Sequence, residues 1–469
     1  MAEATLRIAV VGHVNAGKTT LVRTLARQAS FGTVAAAPGS TLRVEHAQVP
    51  AGGGPTLDWI DTPGFEDPVA LAERLIPLQP LAPVERLKAL LRQPEVASEH
   101  PGEWRALGAA RDSDAVVMVV DSVELVLPKH RCTIELLRAC ARPMVVVLNR
   151  PGDPGSRADE WAEALPGHGL VEVLRYDAFA ADPQAEARLM RTLSGLLAPR
   201  RPEAAGLEAA WRMAQQARRD ASLRYVAEAV VALAARRETL PRAVAGDPAL
   251  KAEAMTRFRQ AVLEQAEAAQ RALIAFHGFL PEGPMRGPID SVAGRWEDDL
   301  FNTEVLKDAG GKLAGGAAIG AAIGLGADVA LAGLSLGTGA AVGAAVGSIA
   351  SQGFSPTGRK LLNRLTGQLD LTVEDAVLVV LADRLMAVLA ALETRGHGAS
   401  GPWSGTAGAV FDGASAAGLV DAARAARGHP EWMTDSALEP GEAAARRKLI
   451  DGVAARLAGL RAQRASLSA

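Results

Sequence analysis

The chain has 469 residues, 49% hydrophobic and 22% charged, a balance that excludes disorder as its dominant state. Its 50 basic and 53 acidic side chains leave a formal charge of −3, so it is no polycation built to seek nucleic acid. Two cysteines, Cys132 and Cys140, exclude a disulfide framework and suit a reducing compartment. The length points to two or three domains, and the scarcity of aromatic residues leaves Ala, Leu and Val to fill their cores. After Met1-Ala2-Glu3 the chain goes straight into a short apolar run with no secretory h-region, so a cytoplasmic start is expected.

That first run, 6–11, reads as a strand and feeds Gly12-His13-Val14-Asn15-Ala16-Gly17-Lys18-Thr19, a complete G-x-x-x-x-G-K-[ST] pattern. A helix is expected from 21 to 29. Strand, glycine loop and helix start in that order predict a phosphate cradle. Backbone N–H groups from Gly12, Asn15, Ala16, Gly17 and the Thr20 region would surround the β-phosphate at a helix N-terminus. Lys18 would bridge the β- and γ-phosphates, and the Thr19 hydroxyl would bind Mg²⁺.

A second strand, 56–60, ends in Asp61-Thr62-Pro63-Gly64. In a P-loop protein such an Asp reaches Mg²⁺ through water, and the Gly64 N–H can sense the γ-phosphate. About forty residues beyond the P-loop, this tetrapeptide predicts a switch-type nucleotide hydrolase. Between 41 and 61 the chain reads as a hairpin turning at Ala51-Gly52-Gly53-Gly54-Pro55. The continuous apolar runs ending at Asp121 and Asn149 predict central parallel strands, and a helix is expected over 131–141.

The P-loop, the DTPG tetrapeptide and Pro38-Gly39-Ser40-Thr41 between them resemble the Era-like (TrmE–Era–EngA) GTPases. The resemblance implies an α/β domain with a mostly parallel sheet, binding GTP or GDP with Mg²⁺. It further implies that Thr41 closes onto the metal and that Asn15 helps bind K⁺ beside the phosphates. Lys18, Thr41 and Gly64 would carry hydrolysis. The Gly12-His13-Val14 start also resembles translation factors, but their Asp and His within the loop are Asn15 and Ala16 here. The family's base-reading N-K-x-D is degenerate, as Asn149-Arg150-Pro151-Gly152-Asp153, so Asn149 keeps its place while Asp153 falls one position late. Tyr176-Asp177-Ala178-Phe179 sits where the second base-side loop belongs. Phe65 stands where Ras-like proteins place a water-orienting Gln, which implies slow hydrolysis. His13 is a rival water-positioner, although histidines in such loops more often serve packing. With Leu-Pro-Lys-His at 127–130 and a long helical tail, most of the chain resembles a bacterial two-domain family that fuses this GTPase to a C-terminal domain of unknown function.

A boundary is expected at 199–202, giving a GTPase domain over 1–198 and a helical domain over 203–469. Apolar periodicity predicts long helices over 207–237 and 249–276. Between 313 and 350 the only charge is Asp328, and Gly316, Gly320 and Gly324, then Gly339, Gly343 and Gly347, recur every four residues. Two such faces predict a tightly packed helical hairpin turning near 333–339. Buried in protein or entering lipid, both readings stand: each arm is short for a span, yet Lys307, Lys312, Arg359 and Lys360 flank it. Another helix is expected within 361–392, a flexible Gly/Ala/Ser stretch over 397–418, and a basic amphipathic helix over 442–464. The expected function is a GTP-dependent switch acting on an unnamed protein partner, cytoplasmic or at the inner face of a membrane, with a homodimer within reach and no specific nucleic acid. The alternative is a nucleotide-binding scaffold with little turnover.

Overall fold

The computed structural model describes residues 4–31, 43–50, 53–279, 306, 308–309, 334–335, 369–399, 411–434 and 438–467. Thr41 and nearly all of 313–350 lie outside them, so neither the switch threonine nor the glycine hairpin is placed. The described chain falls into two compact units. Unit 1 holds Met1–Ala217 with His277–Leu280 and Glu393–Ser400, and unit 2 holds the remainder.

Unit 1 is a six-stranded sheet flanked by helices. In chain order it comprises β1 (Thr5–Val11), α1 (Lys18–Ala26), β2 (Glu45–Pro50), β3 (Thr56–Asp61), α2 (Pro68–Leu75), α3 (Pro83–Leu91), α4 (Pro94–Glu99) and α5 (Pro101–Arg111). It continues with β4 (Ala115–Asp121), α6 (Pro128–Arg138), β5 (Met144–Asn149), α7 (Ala158–Ala164), β6 (Val173–Arg175), α8 (Pro183–Leu197) and the start of α9 (Leu207–Ala235). The strand order is β2-β3-β1-β4-β5-β6. Only the β2–β3 pair is antiparallel, as the expected hairpin requires.

Alternation along the strands builds two cores. Leu6, Ile8 and Val10 of β1 join Val117, Val119, Val145 and Val147 under α1 and α8. Ala9 and Val11 join Met118, Val120, Val146 and Leu148 on the opposite face, under α5 and α6. Side chains of consecutive residues point to opposite faces, so the apolar runs of a two-sided sheet cannot alternate with polar residues. Helix α6 starts at Pro128, earlier than periodicity suggests, because a proline in the first turn gives up an N–H that has no helical partner there.

The boundary of unit 1 lies beyond 199–202, within α9. Ala204, Leu207, Ala210 and Trp211 belong to the core under α8, which draws the start of α9 into the GTPase unit. Beneath it lies a buried carboxylate. Glu186 on α8 is 0% exposed and accepts from Arg27 Nη2 at 2.7 and 2.8 Å, Trp211 Nε1 at 3.3 Å and Gln215 Nε2 at 3.2 Å. Arg27 itself is left-handed at the end of α1 (φ 56°).

Unit 2 is largely helical. Besides the rest of α9 it has α10 (Arg242–Ala245), α11 (Pro248–Phe276), α12 (Asp375–Thr394), α13 (Gly413–Ala423) and α14 (Pro440–Leu467). It also has a small sheet in which β7 (Arg237–Leu240) and β8 (Leu334–Ser335) both pair antiparallel with β9 (Leu369–Val373). Two sequence expectations are adjusted here. Helix α9 stops at Ala235 because 237–240 pair with β9, and Thr239 Oγ1 donates to Asp370 across the ladder. β9 precedes α12, which is the helix expected within 361–392. Within 397–418, Asp412 caps a helix by accepting from the Ser415 N–H at 2.9 Å.

Replacing Arg27 with Met should lower the stability of unit 1 by about 3 kcal/mol, since Glu186 would be left charged in the core with no cation. The midpoint of the first urea transition, followed by Trp fluorescence, measures this. A midpoint equal to that of the unmodified chain would show that the ion pair is dispensable.

Candidate nucleotide-binding site

The loop between β1 and α1 turns sharply enough for its N–H groups to face inward. Asn15 is exposed with a left-handed φ of 65°, and Gly17 has φ 93° at the start of α1. A Cβ at Gly17 would lie 2.2 Å from Asn149 Nδ2, so no larger residue fits between the cradle and β5.

Lys18 is buried, and its ammonium donates to the His13 carbonyl at 2.7 Å, curling back over the loop. Burial pushes its pKa down to about 8, partly opposed by Asp61. Thr19 Oγ1 donates to Asp61 Oδ2 at 2.6 Å. Asp61 is completely buried at the end of β3, and burial raises its pKa to about 6 against the pull of Thr19 and Lys18. Its Oδ1 has no hydrogen-bond partner among the described residues.

The tract after β3 is tied to the loop. Thr62 Oγ1 donates to the Val10 carbonyl at 2.8 Å, the Phe65 N–H donates to the Gly12 carbonyl at 3.1 Å, and the Val14 N–H donates to the Phe65 carbonyl at 3.3 Å. Gly64 is pressed against the P-loop: a Cβ there would lie 2.6 Å from Val14 Cα. Phe65 is 1% exposed and belongs to the core under α5 and α6. Beyond it, Glu103 on α5 accepts the N–H groups of Glu66 and Asp67 at 2.7 and 2.8 Å. Nothing local in the sequence singled out Glu103, because the two amides it holds lie well upstream of it.

His13 is part of a packed stack and does not face a water site. Its ring meets His130 edge-on at 4.7 Å, His130 meets Trp161 likewise, and Thr133 Oγ1 lies 3.1 Å from His13 Nε2. Burial, with His130 and Lys129 nearby, lowers its pKa to about 3, so it is neutral. The Leu-Pro-Lys-His segment thereby acquires a reason: His130 accepts the Leu127 N–H at the start of α6 and buttresses the P-loop histidine. Cys140 is a buried thiol pushed up to about 12, and Cys132 lies on α6, which makes both poor ligands.

On the base side, Asn149 is 2% exposed and spans two loops. Its Nδ2 donates to the Ala16 carbonyl and its Oδ1 accepts the Ala178 N–H, each at 2.9 Å. Ala178 thus sits in the 176–179 tetrapeptide expected to form the second base-side loop. Arg150, in the place of the family's lysine, is left-handed (φ 57°) and forks onto Asp121. Asp153 accepts the Gly155 N–H at 2.9 Å in a turn, with Arg150 Nη1 4.0 Å away. The structure therefore joins Asn149 to the P-loop, while the bonds Asp153 makes are local.

A hydroxyl and a carboxylate held together, one buried carboxylate oxygen without a partner, and an adjacent buried ammonium form a hard-oxygen site that fits Mg²⁺ with a polyphosphate. Thr19 and Asp61 would hold the metal, and Lys18 the phosphates. When bound, the metal neutralises charge on the β- and γ-phosphate oxygens.

Parts of the chain are similar to known proteins. Residues 7–150 match the family described as 50S ribosome-binding GTPase, and residues 163–455 match the domain of unknown function DUF3482. Among curated proteins, translation initiation factor IF-2 of Paramagnetospirillum magneticum is 27% identical over 183 residues, covering 39% of this chain and 17% of that protein. IF-2 of Clostridium botulinum (strain Eklund 17B) is 26% identical over 164 residues, 35% of this chain and 18% of its own. The chain thus spans less than a fifth of these relatives. Among solved structures, Era in complex with MgGDPNP and a piece of 16S ribosomal RNA matches at 17% identity and TM-score 0.28, covering 38% of this chain and 52% of that one. A probable GTP-binding protein engB matches at 18% identity and TM-score 0.28, covering 41% and 99%. Residues 7–150 are thus a GTP-binding P-loop GTPase domain.

The depressed pKa of Lys18 sets a pH dependence. Phosphate binding needs the ammonium, so above pH 8 the empty site must take up a proton as nucleotide enters, and affinity falls with rising pH. GDP affinity should weaken by about fourfold between about pH 7 and 8.5, and calorimetry should register the proton uptake. A flat affinity across that interval would contradict a Lys18 that titrates near 8.

Proposed function

We propose, for a chain that belongs to the DUF3482 family and carries its GTPase domain at the N-terminus, a slow Mg²⁺-dependent GTP switch whose nucleotide state is read by its helical half. The observation that carries this reading is the Lys18–Thr19–Asp61 cluster, with Asp61 Oδ1 held buried and without a partner among the described residues. In the proposed cycle Lys18 holds the β- and γ-phosphate oxygens. The Gly64 N–H and Thr41 engage the γ-phosphate, and both tracts are released when it leaves. Asn149 and Asp153 select guanine, and Asn15, exposed and left-handed beside Lys18, helps hold K⁺.

Slow turnover follows from what flanks the DTPG tract. Phe65 is turned into the core and His13 is locked against His130, so neither supplies a polar group for water. The same observation favours a second reading, a nucleotide-bound scaffold that barely turns over. We further propose peripheral attachment to the cytoplasmic face of a membrane through 313–350, from its near-absence of charge and its flanking lysines and arginine. Among the described residues no helix is long and apolar enough to cross a membrane. The ribosome and ribosomal RNA partners named for the relatives define a further candidate partner class, with an unidentified protein effector and a homodimer beside it.

Single-turnover hydrolysis with Mg²⁺ tests the switch. GTP should be cleaved in preference to ATP, faster in K⁺ than in Na⁺, and Lys18→Ala should abolish binding of both. Equal affinity for GTP and ATP would remove the guanine reading, matched rates in the two salts would remove the cation, and binding without cleavage would leave the scaffold. Flotation with anionic vesicles tests the attachment: the full chain should float, and a chain lacking 313–350 should not. Failure of the full chain to float in any nucleotide state would end the membrane reading.

A further inference from the structure

Two tracts of the chain that lie far beyond the residues matched by the GTPase family are built into unit 1: His277–Leu280 and Glu393–Ser400. They arrive directly from the ends of α11 and α12, inside the region matched by DUF3482. Their contacts converge on the end of α1 and on the loop that carries Ala178.

The second tract pairs with that loop like an added strand. The Ala181 N–H donates to the Thr394 carbonyl at 3.0 Å, the Gly396 N–H donates to the Phe179 carbonyl at 2.9 Å, and Ala180 and Arg395 form an antiparallel bridge. The His397 N–H donates to Thr24 Oγ1 at 3.0 Å, and Thr24 Oγ1 donates to the Ala178 carbonyl at 2.8 Å. His397 Nε2 lies 2.6 Å from the His277 carbonyl, so it carries the proton, and its ring stacks on Phe279 at 4.0 Å. The first tract is fastened to α1 in turn: the Ala29 N–H donates to the Gly278 carbonyl at 3.0 Å. Gly278 has φ 77°, and a Cβ there would lie 1.8 Å from the Arg27 carbonyl.

The result is one unbroken chain of buried hydrogen bonds. It runs from the P-loop carbonyl of Ala16 through Asn149 to the two faces of Ala178, then through Thr24 and His397 to His277. Thr24 is 0% exposed and His397 4%, so these bonds are shielded from water, and a broken one strands its partner.

We propose that Thr24, His397 and the 394–398 tract are positioning residues of the guanine site. Supplied in part by the C-terminal region, they fix the base-side loop, so that the C-terminal region sets how long guanine nucleotide stays bound. The proposal deepens the guanine reading above and rests on it. Thr24 lies one helical turn past the phosphate-binding residues and its hydroxyl faces Ala178, so its loss should be felt by the base and not by the phosphates.

The test uses the full chain and a fluorescent GDP chased with unlabelled GDP. Thr24→Val keeps the shape and removes the hydroxyl, so release should quicken by about tenfold, whereas Thr24→Ser should stay within about twofold of the unmodified chain. Binding of Mg²⁺-tripolyphosphate, which has no base, should be unchanged in both. Should Thr24→Val not fold, His397→Ala, which cuts the chain beyond α1, carries the same expectation. Unaltered GDP release, or an equal loss of GDP and tripolyphosphate binding, would overturn the positioning role. An unmodified chain that binds tripolyphosphate but shows no preference for GDP over ADP would overturn the guanine reading and this proposal with it.

Discussion

One buried amide governs the arrangement of the site. Asn149 ends β5 at the sheet's carboxyl edge and has both its polar ends consumed, one by the P-loop and one by the loop after β6. A primary amide donates from one atom and accepts at another, so one side chain can serve both loops. An aspartate here would set a charge against the Ala16 carbonyl, and an apolar residue would strand both loops. The degenerate base motif keeps this asparagine and loses its lysine, and Arg150 in the lysine's place is paired with Asp121.

The phosphate end is governed by frustrated charge. Burial shifts Lys18 and Asp61 toward neutrality from opposite directions, to about 8 and about 6, although each steadies the other. A bound polyphosphate would offset the ammonium, and a divalent cation the carboxylate. Two side chains beside the loop add no charge of their own. His13 is neutral and packed, and Phe65 is apolar and buried.

How far the sequence could be read depended on the range of the interactions involved. The P-loop, the β2–β3 hairpin and the β4 and β5 runs are local patterns, in which period and composition follow from burial on two faces. Strand β7 defeats that logic. The helix expected over 207–237 ends at Ala235, and 237–240 are extended because 369–373 lie alongside, a partner more than a hundred residues away. Glu103 and the 394–398 tract escaped notice for the same reason, since their significance lies in distant backbone amides. Asp153 matches the base motif only in part, and the bonds it makes are those of an ordinary turn. The boundary at 199–202 follows from two prolines, but Trp211 under α8 outweighs them.

The discontinuity of unit 1 bears on how the protein is made. Its sheet is complete once β6 has been synthesised, and domains generally fold as the ribosome releases them. Yet the Phe179 carbonyl, the Ala181 N–H, the Thr24 hydroxyl and the end of α1 wait for partners at 278 and 394–397, which emerge much later. A nascent GTPase unit therefore spends the synthesis of most of the helical region with the 179–181 part of its base-side loop unpaired. Maturation of the nucleotide site becomes a late event, tied to completion of α12, and chains cut short before that helix would carry a P-loop without a finished pocket.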